Sequence, residues 1–470
     1  MDRSAELIII LPTGDSRDVA LEFVGRCILY GLDFYFESGD RLPIGLPEGV
    51  KGVKAIVYDD STEISSPTVL EDYQRKGAKV YRLKTEFDIT RPTERRYWEL
   101  SWLHDMLTMD AGLTCRSPRF IARMQGREEG FLFDSLAQGV MQHVETRWCE
   151  PARHQWEGLL DGYEVSGSKV YVDTLLGQVD TALEFENEAD NCDAIAPLRA
   201  MLRLYEHTGD ARLLEHARST ADAYIESAPR YRGCFVGFHW LSNHARAEII
   251  FQVCPSLIYL YKVTEDERYL NVVLDQYERY EKLLSDPETG LWFHGASGQV
   301  KTAAYWSRGV AFVLLGILQI TEHVPDTCPQ KKGMIQTIQR MTAKICEYQH
   351  ESGFWHKVID EPDTQLESSG TAWMGGVLER ALRLGWLEPS YRKVSDRAWE
   401  AVKTRIWMGR FPGTVGATTV SPDRAYYMSL PINPKGWSHF AFKFACERRR
   451  TDLAQRGVST YTLGMQPSGA

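Results

Sequence analysis

From about residue 125 onward, apolar residues recur at three- and four-residue spacing. The segments are 132–147, 194–207, 211–227, 246–263, 266–284, 303–321, 333–349, 369–384 and 390–407. That period predicts amphipathic helices, and the Gly, Pro and Asp clusters between them predict tight connections. The sequence also repeats itself. Leu204-Tyr205-x-x-Thr208-x-Asp210 is echoed 56 residues later by Leu260-Tyr261-x-x-Thr264-x-Asp266. Each copy closes one helix and opens the next, with an acid where a helix N-terminus favours one. A repeat of this length is one helical hairpin with its loop. Roughly six such units fit the region, which predicts a closed ring of twelve helices, an (α/α)6 barrel.

The first 90 residues follow a different rule. Short apolar runs at Leu7–Leu11, Val53–Tyr58 and Lys79–Leu83 read as buried strands. Helical spacing over 16–31, and a helix from Ser66-Pro67 toward Gly77, alternate with them. Such alternation predicts a small parallel α/β, Rossmann-like domain over 1–90. Its Pro12-Thr13-Gly14-Asp15 turn is neither a P-loop nor a GxGxxG fingerprint, so docking or oligomerisation is favoured there over a ligand site. Residues 91–124 read as a connector, 125–455 as the mainly α barrel and 456–470 as a flexible tail.

Composition narrows the function. The net charge of −10 opposes a nucleic-acid partner. No apolar run approaches a membrane span, and the run Leu7–Leu11 is too short for a secretion signal, so a cytoplasmic protein is expected. Nine scattered cysteines without a CxxC pair predict reduced thiols and no metal site. The aromatic content is high, with 13 Trp. Three loops share one chemistry: Phe238-His239-Trp240, Gly290-Leu291-Trp292-Phe293-His294 and Gly353-Phe354-Trp355-His356. In a hairpin ring, equivalent loops open on one end. Indole faces and imidazoles gathered there would suit a sugar, with its apolar C–H face and its hydroxyl edge.

These residues resemble glycoside hydrolase family 105, the unsaturated rhamnogalacturonyl hydrolases, and more distantly the unsaturated glucuronyl hydrolases of family 88. The similarity covers about 125–450. Its most specific part is Glu367-Ser368-Ser369-Gly370-Thr371-Ala372 within Gly353–Leu387. Asn191-Cys192-Asp193, Leu202–Asp210, Gly290–His294, Tyr305-Trp306-Ser307-Arg308-Gly309 and Asn433-Pro434-Lys435-Gly436 also match, the last opening a final helix. The resemblance implies a six-hairpin glycosidase barrel without cofactor. It also implies protonation of a C4=C5 double bond in a terminal unsaturated uronic acid, then hydration at C5 and loss of the attached sugar. Such chemistry needs a carboxyl whose pKa is raised.

Carried over residue by residue, the resemblance makes Glu248 the acid/base and Asp193 its helper. His239, Trp292, His294, Trp306, Arg308, Trp355 and His356 would bind substrate, with Arg308 pairing a uronate and Trp306 stacking on a ring. The chain departs from the family pattern in two places. Glu248 stands where the family has aspartate, and Arg246 where it has tryptophan. The Arg308–Phe312 segment also departs from the usual R-[GA]-x-G-W. Asp193 reads equally as a helix cap, Glu248 as half of an ion pair with Arg246 or His244, and Glu367 with Ser369 as a cap. Two other functions stay open: a lyase, isomerase or cyclase on the same barrel acting on a non-carbohydrate metabolite, and a non-catalytic glycan-binding protein.

Overall fold

A computed structural model describes residues 6–11, 34–36, 52–59, 67–83, 129–141, 150–184, 191–237, 243–302, 304–406, 410–416, 418–433 and 436–460. The helix expected over 16–31, the 91–124 connector, His239 and the tail beyond 460 lie outside these residues. In the N-terminal part, β1 (Glu6–Leu11), β2 (Phe34–Phe36), β3 (Gly52–Asp59) and β4 (Lys79–Leu83) pair in parallel, in the order β2-β1-β3-β4. Helix α1 (Pro67–Arg75) connects β3 to β4. Strand β2 has only three residues, too few to show a period.

The rest is mainly helical. In chain order the helices are α2 (Glu129–Met141), α3 (Glu150–Ser166), α4 (Val170–Leu176), α5 (Val179–Glu184), α6 (Cys192–Ile195) and α7 (Leu198–Thr208). Next come α8 (Ala211–Ser227), α9 (Glu248–Gln252), α10 (Cys254–Thr264), α11 (Glu267–Leu284) and α12 (Ser307–Thr321). The last are α13 (Pro329–Glu347), α14 (Ser368–Arg383), α15 (Arg392–Arg405), α16 (Arg424–Ser429) and α17 (Ser438–Gln455).

Among the described residues, α3, α7, α10, α12, α14 and α17 pack in that order, and α17 returns to α3, closing a ring. Outside it, α4 lies on α3, α8 on α7, α11 on α10, α13 on α12 and α15 on α14, while α2 covers the α17–α3 seam. Inner and outer helices alternate along the chain. The inner helices therefore run the same way, and their N-termini face one mouth.

The burial pattern follows this layering. Inner helix α12 is buried along its whole length. Outer helix α11 buries one stripe (Tyr269, Leu270, Val273, Gln276, Tyr277, Tyr280, Leu284). Helix α3 escaped the apolar period because its buried face carries Arg153, Glu157 and Asp161. The single helix expected over 246–263 is instead a two-residue strand followed by α9 and α10. The break falls at Val253, and Pro255, lacking an N–H, occupies the first turn of α10.

The 56-residue echo is a repeated cap. Asp210 accepts the Arg212 backbone N–H and Asp266 that of Arg268, and each arginine folds its guanidinium back onto the same carboxylate. Thr208 and Thr264 hydroxyls donate to the carbonyls four residues earlier, so both turns are tied in the same way.

Candidate active site at the mouth of the barrel

Glu248 opens α9, one element before inner helix α10. The strand preceding it, Ala245–Arg246, pairs with Gly295–Ser297, which fixes the Glu248 and His294 backbones side by side. The His294 side chain lies 2.7 Å, Nε2 to Oε1, from the Glu248 carboxylate. Both groups are buried. Burial by itself pushes the carboxyl pKa up. The charge and hydrogen bond of His294, with the Arg246 guanidinium behind them, outweigh it and hold Glu248 at about 2. Its second oxygen, Oε2, is buried with no hydrogen-bond partner among the described residues. Gly237 makes room for this arrangement. A Cβ there would stand 2.6 Å from an Arg246 terminal nitrogen and 3.1 Å from Cys192 Sγ.

The other face of His294 is also engaged. Nδ1 lies 2.6 Å from the Tyr427 hydroxyl, whose oxygen accepts the Ser421 backbone N–H at 3.1 Å. A phenol has one proton to donate. The Glu248 carboxylate only accepts, so Nε2–H donates to it, while the Tyr427 hydroxyl can give or take the bond at Nδ1. An unbroken run of hydrogen bonds thus links Ser421, Tyr427, His294 and Glu248.

The His294 ring meets Trp306 edge-on at 4.9 Å, and the Arg308 guanidinium lies over the same indole at 4.6 Å. Arg308 donates to the Ser369 hydroxyl at 3.2 Å and to the carbonyls of Val415 and Gly416. Glu367, wholly buried, caps α14 by accepting Ser369 and Gly370 N–H groups, and it also accepts the Val415 N–H at 2.9 Å. Gly370 carries no Cβ because one would fall 1.9 Å from Ser307 Oγ, so α12 and α14 meet closely at their first turns. Thr371 binds the Trp355 backbone N–H. The Glu367–Ala372 motif therefore ties the starts of two inner helices to the segment that crosses the mouth between α15 and α17. Lys357 fastens that segment further along, donating to Met428 and Leu430 carbonyls at 2.6 and 2.7 Å.

The remaining sequence candidates fall at several places. Asp193 lies in the first turn of α6, which packs against α9; the residue capping that turn is Asn191. Trp292 is buried beside Tyr277 of outer helix α11, and Trp355 donates its indole N–H to Ile345 of outer helix α13. His356 gives Nδ1–H to the Thr364 carbonyl and stands against His350. The structure thus gathers Glu248, His294, Trp306 and Arg308, with Asp193 on the adjoining turn. It turns Trp292 and Trp355 toward the outer layer. Among the described residues no group of three or more His, Cys, Asp or Glu is placed to hold a metal. No described helix is long and apolar enough to cross a membrane.

The sequence profile of glycosyl hydrolase family 88 matches residues 134–451, nearly all of the helical ring. The chain belongs to that family. The family 88 barrel is 24% identical over 318 residues to the unsaturated rhamnogalacturonyl hydrolase YesR of Bacillus subtilis, covering 65% of this chain and 90% of that protein. A solved family 105 glycoside hydrolase from C. acetobutylicum superposes with a TM-score of 0.63 at 16% identity, covering 68% of this chain and 99% of the other. The unsaturated glucuronyl hydrolase of Bacillus sp. GL1 superposes with a TM-score of 0.53 at 15% identity, covering 71% and 98%. The family 88 barrel is therefore that of a glycosidase, similar to the unsaturated uronyl hydrolases.

Three parts of its mouth were missed in the sequence: Tyr427 behind His294, Lys357 under the crossing segment, and Trp437 at the start of α17. Tyr427 and Lys357 act across more than 70 residues of chain, and no local spacing signals such a contact.

Proposed function

We propose that this family 88 enzyme removes a terminal 4,5-unsaturated uronic acid from a short oligosaccharide. Glu248 is the acid/base. It delivers a proton to C4, and water adds at C5 and returns a proton to the carboxylate. The resulting hemiketal opens and releases the attached sugar. Asp193 assists from the adjoining turn, Trp306 offers a ring face, and the N-termini of six inner helices favour an anionic sugar at this mouth. Arg308 contributes charge rather than an open fork, since its nitrogens already hold Ser369, Val415 and Gly416. Trp292, Trp355 and His356 support the loops rather than the sugar. The observation that supports the reading most is the buried Glu248–His294 pair at the mouth of a family 88 barrel.

One feature favours a second reading. Glu248 is held as a carboxylate in the free protein, which suits a base. The hydrolase reading requires the bound uronate to repel that charge and drive proton uptake. A lyase on the same barrel would instead use the carboxylate to abstract a proton and create a double bond. One ultraviolet assay separates the two. Loss of the conjugated absorbance of an unsaturated uronyl disaccharide, abolished in Glu248→Gln, supports the hydrolase. A gain of absorbance from a saturated uronyl oligosaccharide supports the lyase. Neither change in folded protein overturns both.

A further inference from the structure

We infer that Trp437 is the platform for the sugar next to the uronyl ring, and so a determinant of which leaving sugar the enzyme accepts. The inference rests on the hydrolase reading for its kinetic test but not for its binding test.

Trp437 immediately precedes α17, the last inner helix, and so stands at the same mouth as Glu248. The barrel connects the two through a run of contacts. Glu248 bonds His294, His294 meets Trp306, Arg308 lies over Trp306, and the same guanidinium lies 5.6 Å from the Trp437 ring. The indole also leans on His439 at 6.3 Å and Phe440 at 5.9 Å. His439 stacks in turn on His154 of α3 at 5.3 Å. These supports span three inner helices and hold the indole in place.

Despite this backing, Trp437 is 37% exposed, and it is the one exposed tryptophan among the described residues. Trp292, Trp306 and Trp355 are 1%, 2% and 0% exposed. Leaving a large apolar ring in water is unfavourable, and an indole held in place at the mouth of the barrel offers a ready-made face to a ligand. Its ligand class follows from chemistry. A pyranose has an apolar C–H face that lies on an indole, and Trp437 is one step farther from Glu248 than Trp306. A ring attached to the uronyl residue would reach it. The Arg308 guanidinium beneath the indole leaves it well placed, because it is itself fixed by Ser369 and two backbone carbonyls.

The test compares two probes, an unsaturated galacturonyl-rhamnose disaccharide and the methyl glycoside of the same unsaturated uronic acid, which lacks a second ring. Trp437→Ala is expected to raise KM for the disaccharide about tenfold while leaving both constants for the methyl glycoside unchanged. Trp437→Phe is expected to recover most of the loss. An equal effect on both probes, or none on either, overturns the inference. If wild-type protein turns over neither probe, the hydrolase reading falls, and calorimetric titration of the disaccharide decides this one separately. Binding weakened about tenfold by Trp437→Ala supports the platform; binding unaffected by Trp437→Ala, or no binding to the wild type, overturns it.

Discussion

The His294 imidazole bridges the Glu248 carboxylate and the Tyr427 hydroxyl, with Nε2 at 2.7 Å from the one and Nδ1 at 2.6 Å from the other. The glutamate comes from the short helix α9 that precedes inner helix α10, the histidine from a loop after an outer helix, and the tyrosine from the segment crossing the mouth. Three separate parts of the chain thus set the protonation of one carboxyl.

The pair has a consequence for acid stability. Glu248 is held at about 2 against an ordinary 4.5, so the folded state favours its charged form. A depressed carboxyl contributes stability that is complete above its unfolded pKa and lost as pH falls through the folded one. The window is therefore pH 4.5 down to about 2, and the contribution is on the order of 3 kcal/mol. Denaturant unfolding of wild type and Glu248→Gln at pH 7 and pH 3 measures it. The gap between the two proteins should shrink on acidification. A gap independent of pH would show that the pair does not hold the carboxyl down.

Tyr427 acts through His294 and is a positioning residue. In Tyr427→Phe, Nδ1 loses its hydrogen-bond partner. A ring held from one side no longer sets Nε2 firmly on the Glu248 carboxylate, so proton delivery weakens. The expected result is a fall in kcat of about tenfold or more with KM nearly unchanged, and an altered pH–rate profile. Nitrogen-15 spectra of the His294 ring, which report its tautomer, should differ between wild type and variant. A loss of melting temperature with an unaltered profile and tautomer would mean that the phenol only packs.

Much of the helical ring was legible in the sequence, for a physical reason. Outer helices such as α11 and α13 alternate one buried stripe with solvent, and the Asp210 and Asp266 caps repeat because each turn solves the same local problem. What escaped was α3, whose buried side is ionic, and the division of 246–263 into α9 and α10. Both depend on partners distant in sequence. Glu248 and His294 stood out by motif, but their hydrogen bond comes from a strand pairing of two residues each, too short to leave a pattern. The aromatic loops were harder to read. One loop sends His294 to the mouth and Trp292 outward, and alternate side-chain directions within a short segment cannot be ranked from composition.

Glu367 joins α14 to the crossing segment. Its Oε1 accepts the Ser369 and Val415 N–H groups, and Oε2 accepts that of Gly370. Glu367→Gln would turn an NH2 group toward N–H donors and leave at least one of them buried without an acceptor. The expected cost is about 2–3 kcal/mol in chemical denaturation, with faster amide exchange over 410–416. Because Arg308 holds the same segment through Val415 and Gly416, its guanidinium should loosen too, and KM should rise. Unchanged exchange in that stretch would rule out the tie.

The ring closes where its first and last inner helices meet, and the closure is electrostatic. Glu157 of α3 is wholly buried among Arg153 at 3.1 Å, Arg199 at 2.9 Å and the Lys443 ammonium from α17. Farther along the same seam, Asp161 and Glu164 hold Arg203 of α7 and Arg450 of α17. The three cations hold Glu157 well below its ordinary pKa against the opposing effect of burial. The ammonium of Lys443 is itself pushed down by that burial. Removing the anion and removing one cation should therefore differ. Glu157→Gln takes the shared carboxylate from three buried cations and should cost roughly 3–5 kcal/mol. Lys443→Met leaves Glu157 two arginines and removes a buried ammonium, so its cost should be about 1 kcal/mol or less. The double variant should be more stable than Glu157→Gln alone, since it leaves one buried cation fewer without the Glu157 charge. A double-mutant cycle in denaturant reads all three quantities. If Lys443→Met proves as costly as Glu157→Gln, the lysine is indispensable to the seam, and the two arginines do not suffice to hold the buried glutamate.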